Sequence, residues 1–458
     1  MSEKKEKKRL QPLLVSTNET TPVVGVTVET ESSKKMDESL SLQPEKVEKE
    51  EKIEKEDKED NEMDEESITH PSMEIEDLKT AREYETWKAN TIYLYSFLTT
   101  YETPFPAATT FDWGTVVSNT SDVTKQSFIY GTNEVDDTAY IGKCVLSIPT
   151  GEVKPTSFKD GNVGEFDCDV RYDDSGLFMH KGDVRRLRAM PQNRDVVVTS
   201  SSENQSFIYN TADSLCEGVE RKHGGGFGLS WSIVSPGTFC VCENGNVYVY
   251  TINNENEEIA MLNVHNSIND VCFKADADII LSVGEDSRAV LTDIRTKTTV
   301  SVFSETHSGD ANACCFDQGN SYIFITGGGE DGFVRFWDTR KPNFELCHLF
   351  GAEKGINCCQ LSTINLGYVC SASKDNRVRI YDMSRVGEDQ TSNDADDGGS
   401  EFLFQHNGHF NEVYDALWNP NIPFVIGSAG EGREIQFWRP MKQLMKEDRT
   451  ILKPAFLH

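Results

Sequence analysis

The feature that most constrains this chain is a segment that recurs along its C-terminal two thirds. Comparable starts lie at His180, His223, His265, His307, Ala352 and His409. They are 42 to 45 residues apart, except for a last interval of 57. The clearest copy, Asn312 to Arg340, has an alternating apolar run, a Gly-rich turn and a second run, FVRFWD. Apolar residues with period two between turns indicate antiparallel strands, and this repeat length is typical of WD-repeat propeller blades.

The repeats give a blade count. Six starts predict six blades, and a hairpin formed by Gln126 to Gly131 and Thr138 to Pro149 predicts an earlier, degenerate one. We therefore predict an all-β fold, a seven-bladed WD-repeat β-propeller over residues 104–440. The last blade ends at Trp438, and a closed ring needs its outer strand from the N-terminal side. We expect Ala107 to Trp113 to supply that strand.

The two ends of the chain differ from the repeats. Residues 1–75 are rich in Glu and Lys and lack aromatic side chains, which predicts a disordered, charged and acidic tail. Its basic cluster, Lys4 to Arg9, is either a nuclear import signal or a solvated charge run. Residues 441–458 are treated as a C-terminal extension.

Two further segments flank or interrupt the propeller. Residues 76–103 place apolar and aromatic side chains near helical spacing, so we predict an amphipathic N-terminal α-helix that docks on the propeller. Residues 384–400 explain the long last interval and form an acidic insertion, followed at once by Phe402 and Phe404. An acidic lip beside apolar side chains suits a basic amphipathic helix, although such loops are also found as mere surface insertions.

Composition limits the classes of partner. The net charge is −31, with 76 acidic and 45 basic residues, which argues against direct binding to nucleic acid or to anionic membranes and favours basic partners. The sequence shows no signal-peptide core and no apolar run of membrane-spanning length. We expect a soluble intracellular protein.

No catalytic, cofactor or metal motif is evident. The 12 cysteines include no Cys-x-x-Cys pair, so we expect buried thiols and no metal site. Most of the nine histidines start repeats, and His307, Asp331 and Trp337 are expected to hydrogen-bond within one blade. The Gly-rich turns lack the lysine of a phosphate-binding loop. We predict a protein that is not an enzyme and that uses no cofactor.

Several longer motifs carry a family resemblance. EYETWKANTIYLYSFL, GDVRRLRAMPQN, WDTRKP and the stretch from Tyr381 to Glu431 resemble the retinoblastoma-binding, MSI-type histone-binding WD-repeat proteins over roughly residues 82–440. These are subunits of chromatin assembly factor and of histone acetyltransferase, deacetylase and Polycomb complexes. The resemblance implies a histone-binding scaffold or chaperone in the nucleus, with the cytoplasm as a further location, and no direct binding to nucleic acid or membrane.

The resemblance also implies two binding sites. In the first, the N-terminal helix and the acidic loop grip a helix of histone 4; the matching positions are Ile92, Tyr93, Tyr95, Phe97, Leu98, Glu388, Asp389, Asp394, Asp396, Asp397, Phe402 and Phe404. In the second, the mouth of the central channel takes an Arg/Lys peptide such as the histone 3 tail; the matching positions are Asp183, Phe227, Asp310, Asn312, Glu412 and Glu431.

The chain departs from the family pattern at both sites. Ser96 stands where a carboxylate is usual in the helix, and Gly398-Gly399-Ser400 replaces a Gly-Pro-Pro sequence in the loop. At the channel mouth, Gly225 and Asn269 stand for Glu, Arg185 for Asn, and Asn357 for an aromatic residue. The departures imply weaker binding, above all at the channel mouth.

Two alternative functions fit the sequence. Trp337-Asp338-Thr339-Arg340 and Thr292-Asp293-Ile294-Arg295 resemble the Trp-Asp-x-Arg motif of substrate receptors of cullin ubiquitin ligases, although both also simply end blades. An acidic WD-repeat ribosome-assembly chaperone would equally suit the charge.

Overall fold

The computed structural model describes residues 86–87, 90–105, 109–135, 138–150, 171–252, 258–350, 352–391, 398–442 and 444–445. The predicted tail (1–75) and most of the extension (441–458) lie outside these ranges. Within the described ranges, 28 strands form seven four-stranded antiparallel sheets. The predicted seven-bladed propeller is confirmed.

The strands are labelled in chain order. They are β1 (Tyr95–Glu102), β2 (Thr110–Asn119), β3 (Val123–Gly131), β4 (Ala139–Pro149), β5 (Arg171–His180), β6 (Val184–Met190), β7 (Asn193–Ser201), β8 (Ser206–Asn210), β9 (Val219–Arg221), β10 (Leu229–Trp231), β11 (Thr238–Glu243), β12 (Asn246–Thr251), β13 (Glu258–Asn263), β14 (Ile268–Phe273), β15 (Ile279–Gly284), β16 (Ala289–Asp293), β17 (Thr298–Phe303), β18 (Ala311–Phe316), β19 (Ile323–Gly328), β20 (Val334–Asp338), β21 (Glu345–Leu349), β22 (Ile356–Leu361), β23 (Tyr368–Ser373), β24 (Val378–Asp382), β25 (Phe402–His406), β26 (Val413–Trp418), β27 (Ile426–Gly430) and β28 (Glu434–Pro440). Blades 1 to 6 take four consecutive strands each, from β2 to β25, and blade 7 contains β26, β27, β28 and β1.

Ring closure is achieved by a different strand from the one predicted. β1 pairs antiparallel with β28, with Leu98 opposite Trp438, so the outer strand of blade 7 comes from the N-terminal side as expected. The strand is Tyr95–Glu102, however. Within the predicted stretch from Ala107 to Trp113, residues 110–113 belong instead to β2, the innermost strand of blade 1, and residues 107–108 lie outside the described ranges. The outer edge of β28 has backbone N–H and C=O groups that would stay unpaired if residues 95–102 were helical.

The N-terminal helix ends earlier than predicted. Thr86, Trp87, Asn90 and Thr91 are α-helical, and the Thr91 hydroxyl donates to the Trp87 carbonyl at 2.7 Å. A 3₁₀ turn, Ile92–Leu94, then leads into β1. The prediction of helix through residue 103 is wrong from Tyr95 onward, because Tyr, Phe and Thr favour a strand where an edge can pair.

The core lies between blades and not at one centre. Each of the seven apolar clusters formed by the described residues joins two neighbouring blades. Phe437, for example, packs against Phe111 and Phe128 across the blade 7–blade 1 boundary. Since each blade covers only its neighbours, the repeat spacing specifies the fold even where the Trp-Asp dipeptide is missing.

The repeat histidines serve the blades as predicted. In blade 5, His307 Nδ1 lies 3.0 Å from Asp331, and its Nε2 shares the Thr326 hydroxyl with the Trp337 indole at 2.8 and 2.9 Å. Burial raises the pKa of Asp331, but the hydrogen bond and charge of His307, together with two backbone N–H donors, outweigh it and lower that pKa to about 2. The histidine therefore fixes the turn to the strands of its blade.

Candidate functional site

The segment before β1 and the strand after the acidic insertion meet on the flank of blades 6 and 7. The Tyr95 ring stands edge-on to Phe404, with centroids 5.2 Å apart, and the Tyr95 hydroxyl is 2.8 Å from His406 Nδ1. Trp87 packs edge-on against the ring of His406 at 5.7 Å. Two segments that are about 300 residues apart in sequence therefore share one cluster.

The hydrogen bonds of His406 set its tautomer. Its Nε2 lies 2.8 Å from Gln436 Oε1, a carbonyl oxygen that can only accept, so Nε2 carries the proton and Nδ1 accepts from Tyr95. Burial, together with the neighbouring His409, holds the pKa of His406 well below its ordinary value. A neutral imidazole thus links the N-terminal segment to blade 6.

Burial separates the predicted cleft residues into two groups. Tyr95, Phe97 and Phe404 expose only 1%, 0% and 6% of their surface. This corrects the expectation that these three side chains face a partner: they belong to the cores at the boundaries of blade 7, and they position the residues around them. β1 pairs with β28 and β25 pairs with β24, and these pairings turn the aromatic rings inward.

We use the name flank cleft for the other predicted groove residues, of which those that the structure describes are at least partly exposed. Tyr93 is 55% exposed, and Leu98 and Phe402 are half-buried at the edges of the blade cores. Glu388 and Asp389 are exposed at the start of the insertion. Asp394, Asp396, Asp397 and the side chain of Ile92 lie outside the described residues. The described part of the cleft thus combines apolar side chains with two carboxylates.

The base of the insertion is closed by hydrogen bonds. The Ser400 hydroxyl donates to the Arg385 carbonyl at 2.6 Å, and the Gln390 amide donates to the Gly398 carbonyl at 3.2 Å. The Ser384 amide N–H donates to Asp382 at 3.0 Å, which caps the short 3₁₀ turn where the insertion begins. Ser400 therefore takes a direct part in holding the loop, in the place of the rigid Pro that the family resemblance implies.

The second predicted site lies at the channel mouth, the end of the central channel where the innermost strands of the blades begin. Phe227 is 53% exposed there. The backbone N–H of Glu431 donates to the carbonyl of Glu412 at 2.9 Å, and burial together with these two carboxylates raises the pKa of Tyr414. Glu412 and Glu431 thus form an acidic edge of the mouth.

Other predicted channel-mouth residues are used within the fold. Asp183 accepts a hydrogen bond from the backbone N–H of Glu134 at 2.7 Å. The Asn312 amide donates to the Ile356 carbonyl of the next blade at 3.1 Å. Asp310 is partly exposed, and its carbonyl accepts from the Gly329 N–H at 2.7 Å. Phe227 and Glu431 are thus the exposed members of the predicted set, and the other four are partly buried.

The channel interior contains a charged network that the sequence did not predict. Asp415, fully buried, accepts from Arg188 at 2.7 and 2.9 Å, from Arg186 at 3.2 Å and from the Thr110 hydroxyl at 3.0 Å. Burial raises the pKa of Asp415, but the two guanidinium groups outweigh it and the net shift is downward. The signal was present, because Arg186 and Arg188 are two apart and share one face of a strand.

This network lines a cavity of about 230 Å³ in the channel. Asp112 and Asp270 face the same space and, with Asp415, match the charges of Arg186, Arg188 and a further arginine, Arg194. Burial raises the pKa of both Asp112 and Asp270, and the hydrogen-bonded network around Asp415 joins blades 7, 1 and 2.

Neither metal nor membrane features are found in the described ranges. No group of three or more metal-binding side chains is assembled there, and no helix there has the length and hydrophobicity to cross a bilayer. The cysteines in the same ranges are free thiols, and burial raises the pKa of Cys242 and Cys358 to about 12.

The structure defines a class: a seven-bladed WD-repeat propeller whose N-terminal segment packs against the strand that follows a late acidic insertion. A family model for the histone-binding protein RBBP4, or a subunit of the CAF1 complex, matches residues 82–150. A second model, for the WD domain or G-beta repeat, matches residues 297–338 and 344–382. These matches confirm the predicted resemblance to the histone-binding WD-repeat family.

Two named relatives cover most of the chain. One is the histone acetyltransferase type B subunit 2 of Candida glabrata, which is 27% identical over 379 residues, covering 80% of this chain and 89% of the relative. The other is the protein of the same name from Debaryomyces hansenii, 25% identical over 396 residues, covering 82% of this chain and 94% of the relative.

Proposed function

We propose that this protein is a histone-binding subunit of nuclear chromatin-assembly and histone-modifying complexes. The observation that carries the proposal is the match of residues 82–150 to the histone-binding family model, since this segment supplies β1 and three of the four strands of blade 1. The named relatives, as subunits of a histone acetyltransferase, support the same class. The protein acts as a scaffold or chaperone without catalytic activity of its own.

The partner is a basic amphipathic helix, that of histone 4. Its apolar stripe would pack on Tyr93, Leu98 and Phe402, and its Lys and Arg side chains would pair with Glu388, Asp389 and the aspartates of the insertion. The buried contact of Tyr95 with Phe404 and His406 supports this arrangement, because it fixes the two walls of the cleft relative to each other.

The cullin-adaptor alternative has a simpler explanation in the structure. The Arg340 guanidinium pairs with Asp338 at 2.8 Å and lies 4.5 Å from the centre of the Tyr322 ring. Arg295 pairs with Asp293 at 3.3 Å. Both motifs thus stabilise the ends of their own blades, and no observation favours an adaptor role.

A binding assay with charge reversal tests the proposal. The full chain is titrated against a labelled histone 4 helix peptide, with Glu388→Lys/Asp389→Lys compared with the wild type. Each reversed surface charge weakens the binding free energy by roughly 0.2–1 kcal/mol per contact, so we expect the affinity for the peptide to fall about tenfold. The triple variant Asp394→Lys/Asp396→Lys/Asp397→Lys should bind more weakly still.

A matched control separates the cleft from net charge. Glu217→Lys/Glu258→Lys makes the same charge change at exposed positions on blades 2 and 3. It should leave the affinity within about twofold of wild type, and wild-type binding should weaken as salt rises. Equal losses in the cleft and control variants, or no binding by the wild type, would contradict the proposed cleft.

A further inference from the structure

One aromatic residue at the channel mouth already has a cation against it. The guanidinium carbon of Arg185 lies 5.6 Å from the centre of the Phe227 ring, within the range of a cation–π contact. The same guanidinium donates a hydrogen bond to the Gly225 carbonyl. The backbone of Phe227 is anchored as well, because Arg186 Nε donates to the Phe227 carbonyl at 2.9 Å.

The position of Arg185 is equivalent to that of three asparagines on other blades. Each of the four is the second residue of an innermost strand, at a β-bulge that redirects its side chain. Asn269, Asn312 and Asn357 each donate to a carbonyl of the next blade at 3.1 Å, namely those of Ala311, Ile356 and Val413. An amide thus suffices to join neighbouring blades at this position.

Arg185 makes the same kind of link and extends beyond it. Its longer side chain reaches the Gly225 carbonyl in the loop that enters blade 3, and its positive charge covers the half-exposed Phe227 ring. The fold does not require that charge, since three blades use a neutral amide. The charge therefore bears on what the mouth can bind.

We propose that Arg185 is an internal occupant of the channel mouth, which covers the aromatic face that a cationic side chain of a bound peptide would otherwise use. The proposal rests on the channel-mouth peptide site predicted from the family resemblance and concerns the regulation of that site. A second cation on the same face would be repelled at short range, so the peptide must displace Arg185 and break its contacts with Phe227 and Gly225.

The test compares the full chain with Arg185→Ala, using fluorescence anisotropy. The probe is a labelled pentapeptide with one arginine between alanines, and its control is the same peptide with citrulline, which keeps the shape and loses the charge. Release of one exposed cation–π contact should make Arg185→Ala bind the arginine peptide about two- to fivefold more tightly. Binding of the citrulline peptide should not tighten. Arg185→Gln is the second variant should the alanine variant fail to fold.

The charge control is Arg377→Ala. Arg377 lies in the β23–β24 turn, at the same end of the propeller, and pairs with Glu353 at 3.3 Å. The Arg377→Ala variant removes one positive charge and leaves the contact between Arg185 and Phe227 unchanged. A further variant is Phe227→Leu. When it is combined with Arg185→Ala, the gain in peptide affinity should disappear, because the double-mutant cycle isolates the contact between the two side chains.

The outcomes distinguish the inference from the site on which it rests. If neither wild type nor Arg185→Ala binds the arginine peptide, the channel-mouth peptide site itself is wrong. The second outcome is that wild type binds, but Arg185→Ala either binds the arginine peptide no more tightly than Arg377→Ala does or gains equally in affinity for the citrulline peptide. The peptide site then stands, and the proposal that Arg185 occupies it is overturned.

Discussion

The buried carboxylate of Asp415 offers the sharpest test of how this propeller is held together. Its side chain is fully buried, while those of Arg186 and Arg188 are only 10% and 18% exposed. Asp415→Asn keeps the shape but leaves two guanidinium groups without their main counter-charge. Removing one partner of a buried ion pair costs about 3–5 kcal/mol. Because Asp112 and Asp270 lie nearby, we expect the lower end of that range, about 3 kcal/mol.

The loss is measured by urea unfolding followed by far-UV circular dichroism, with Asp122→Asn, an exposed turn position, as the control. In a domain of this size the same change should lower Tm by about 5 °C. Adding Arg188→Met to Asp415→Asn should restore part of the stability, because it removes a charge that the first substitution left unpaired. A loss below about 1 kcal/mol, or no recovery in the double variant, would refute the view that this network stabilises the channel.

Two further predictions concern the flank and the histidines. Tyr95→Phe should lower the free energy of unfolding by about 1–2 kcal/mol, because His406 loses its buried donor, while the affinity for the histone helix stays unchanged. Tyr93→Ser should lower that affinity and leave the free energy of unfolding unchanged, because Tyr93 is exposed. A loss of binding in Tyr95→Phe would show that the Tyr95 hydroxyl reaches the partner. Burial lowers the pKa of His180 and His409 to about 4, so the unfolded chain binds more protons between that value and about 6.5. The free energy of unfolding should therefore fall as pH drops through this window, by up to about 3 kcal/mol per histidine. His409→Gln should make this pH dependence less steep. An unchanged slope would contradict the conclusion that His409 is buried in its neutral form.

The propeller itself could be predicted because each blade is a local unit. The spacing of the repeat starts and the alternation within FVRFWD mark the strands, and the seven inter-blade clusters follow from that alternation. The closing strand could not be predicted in the same way. Tyr95 and Leu98 fit helical spacing as well as they fit a strand with a bulge near its start, and only the open edge of β28 favours the strand.

The candidate site, like the fold, could be predicted from the sequence only in part. The sequence indicated that the N-terminal segment and the acidic insertion act together. The described contact joins Tyr95 to Phe404 on β25, the strand after the insertion, and the joint action stays a prediction. It could not tell which of those aromatic residues are buried, because burial depends on the neighbouring blade and not on the residue's own segment. Phe404 and Phe402 are two apart on one strand, yet they pack in different inter-blade clusters.

By itself, the sequence determined the repeat, the number of blades and the placement of acidic charge, since these depend on residues close together in the chain. The tertiary structure alone decided which strand closes the ring, which cleft residues remain accessible, and that Arg185 lies over Phe227. The physical reason is that all three depend on contacts between blades, where side chains distant in sequence compete for the same space and the same hydrogen-bond partners.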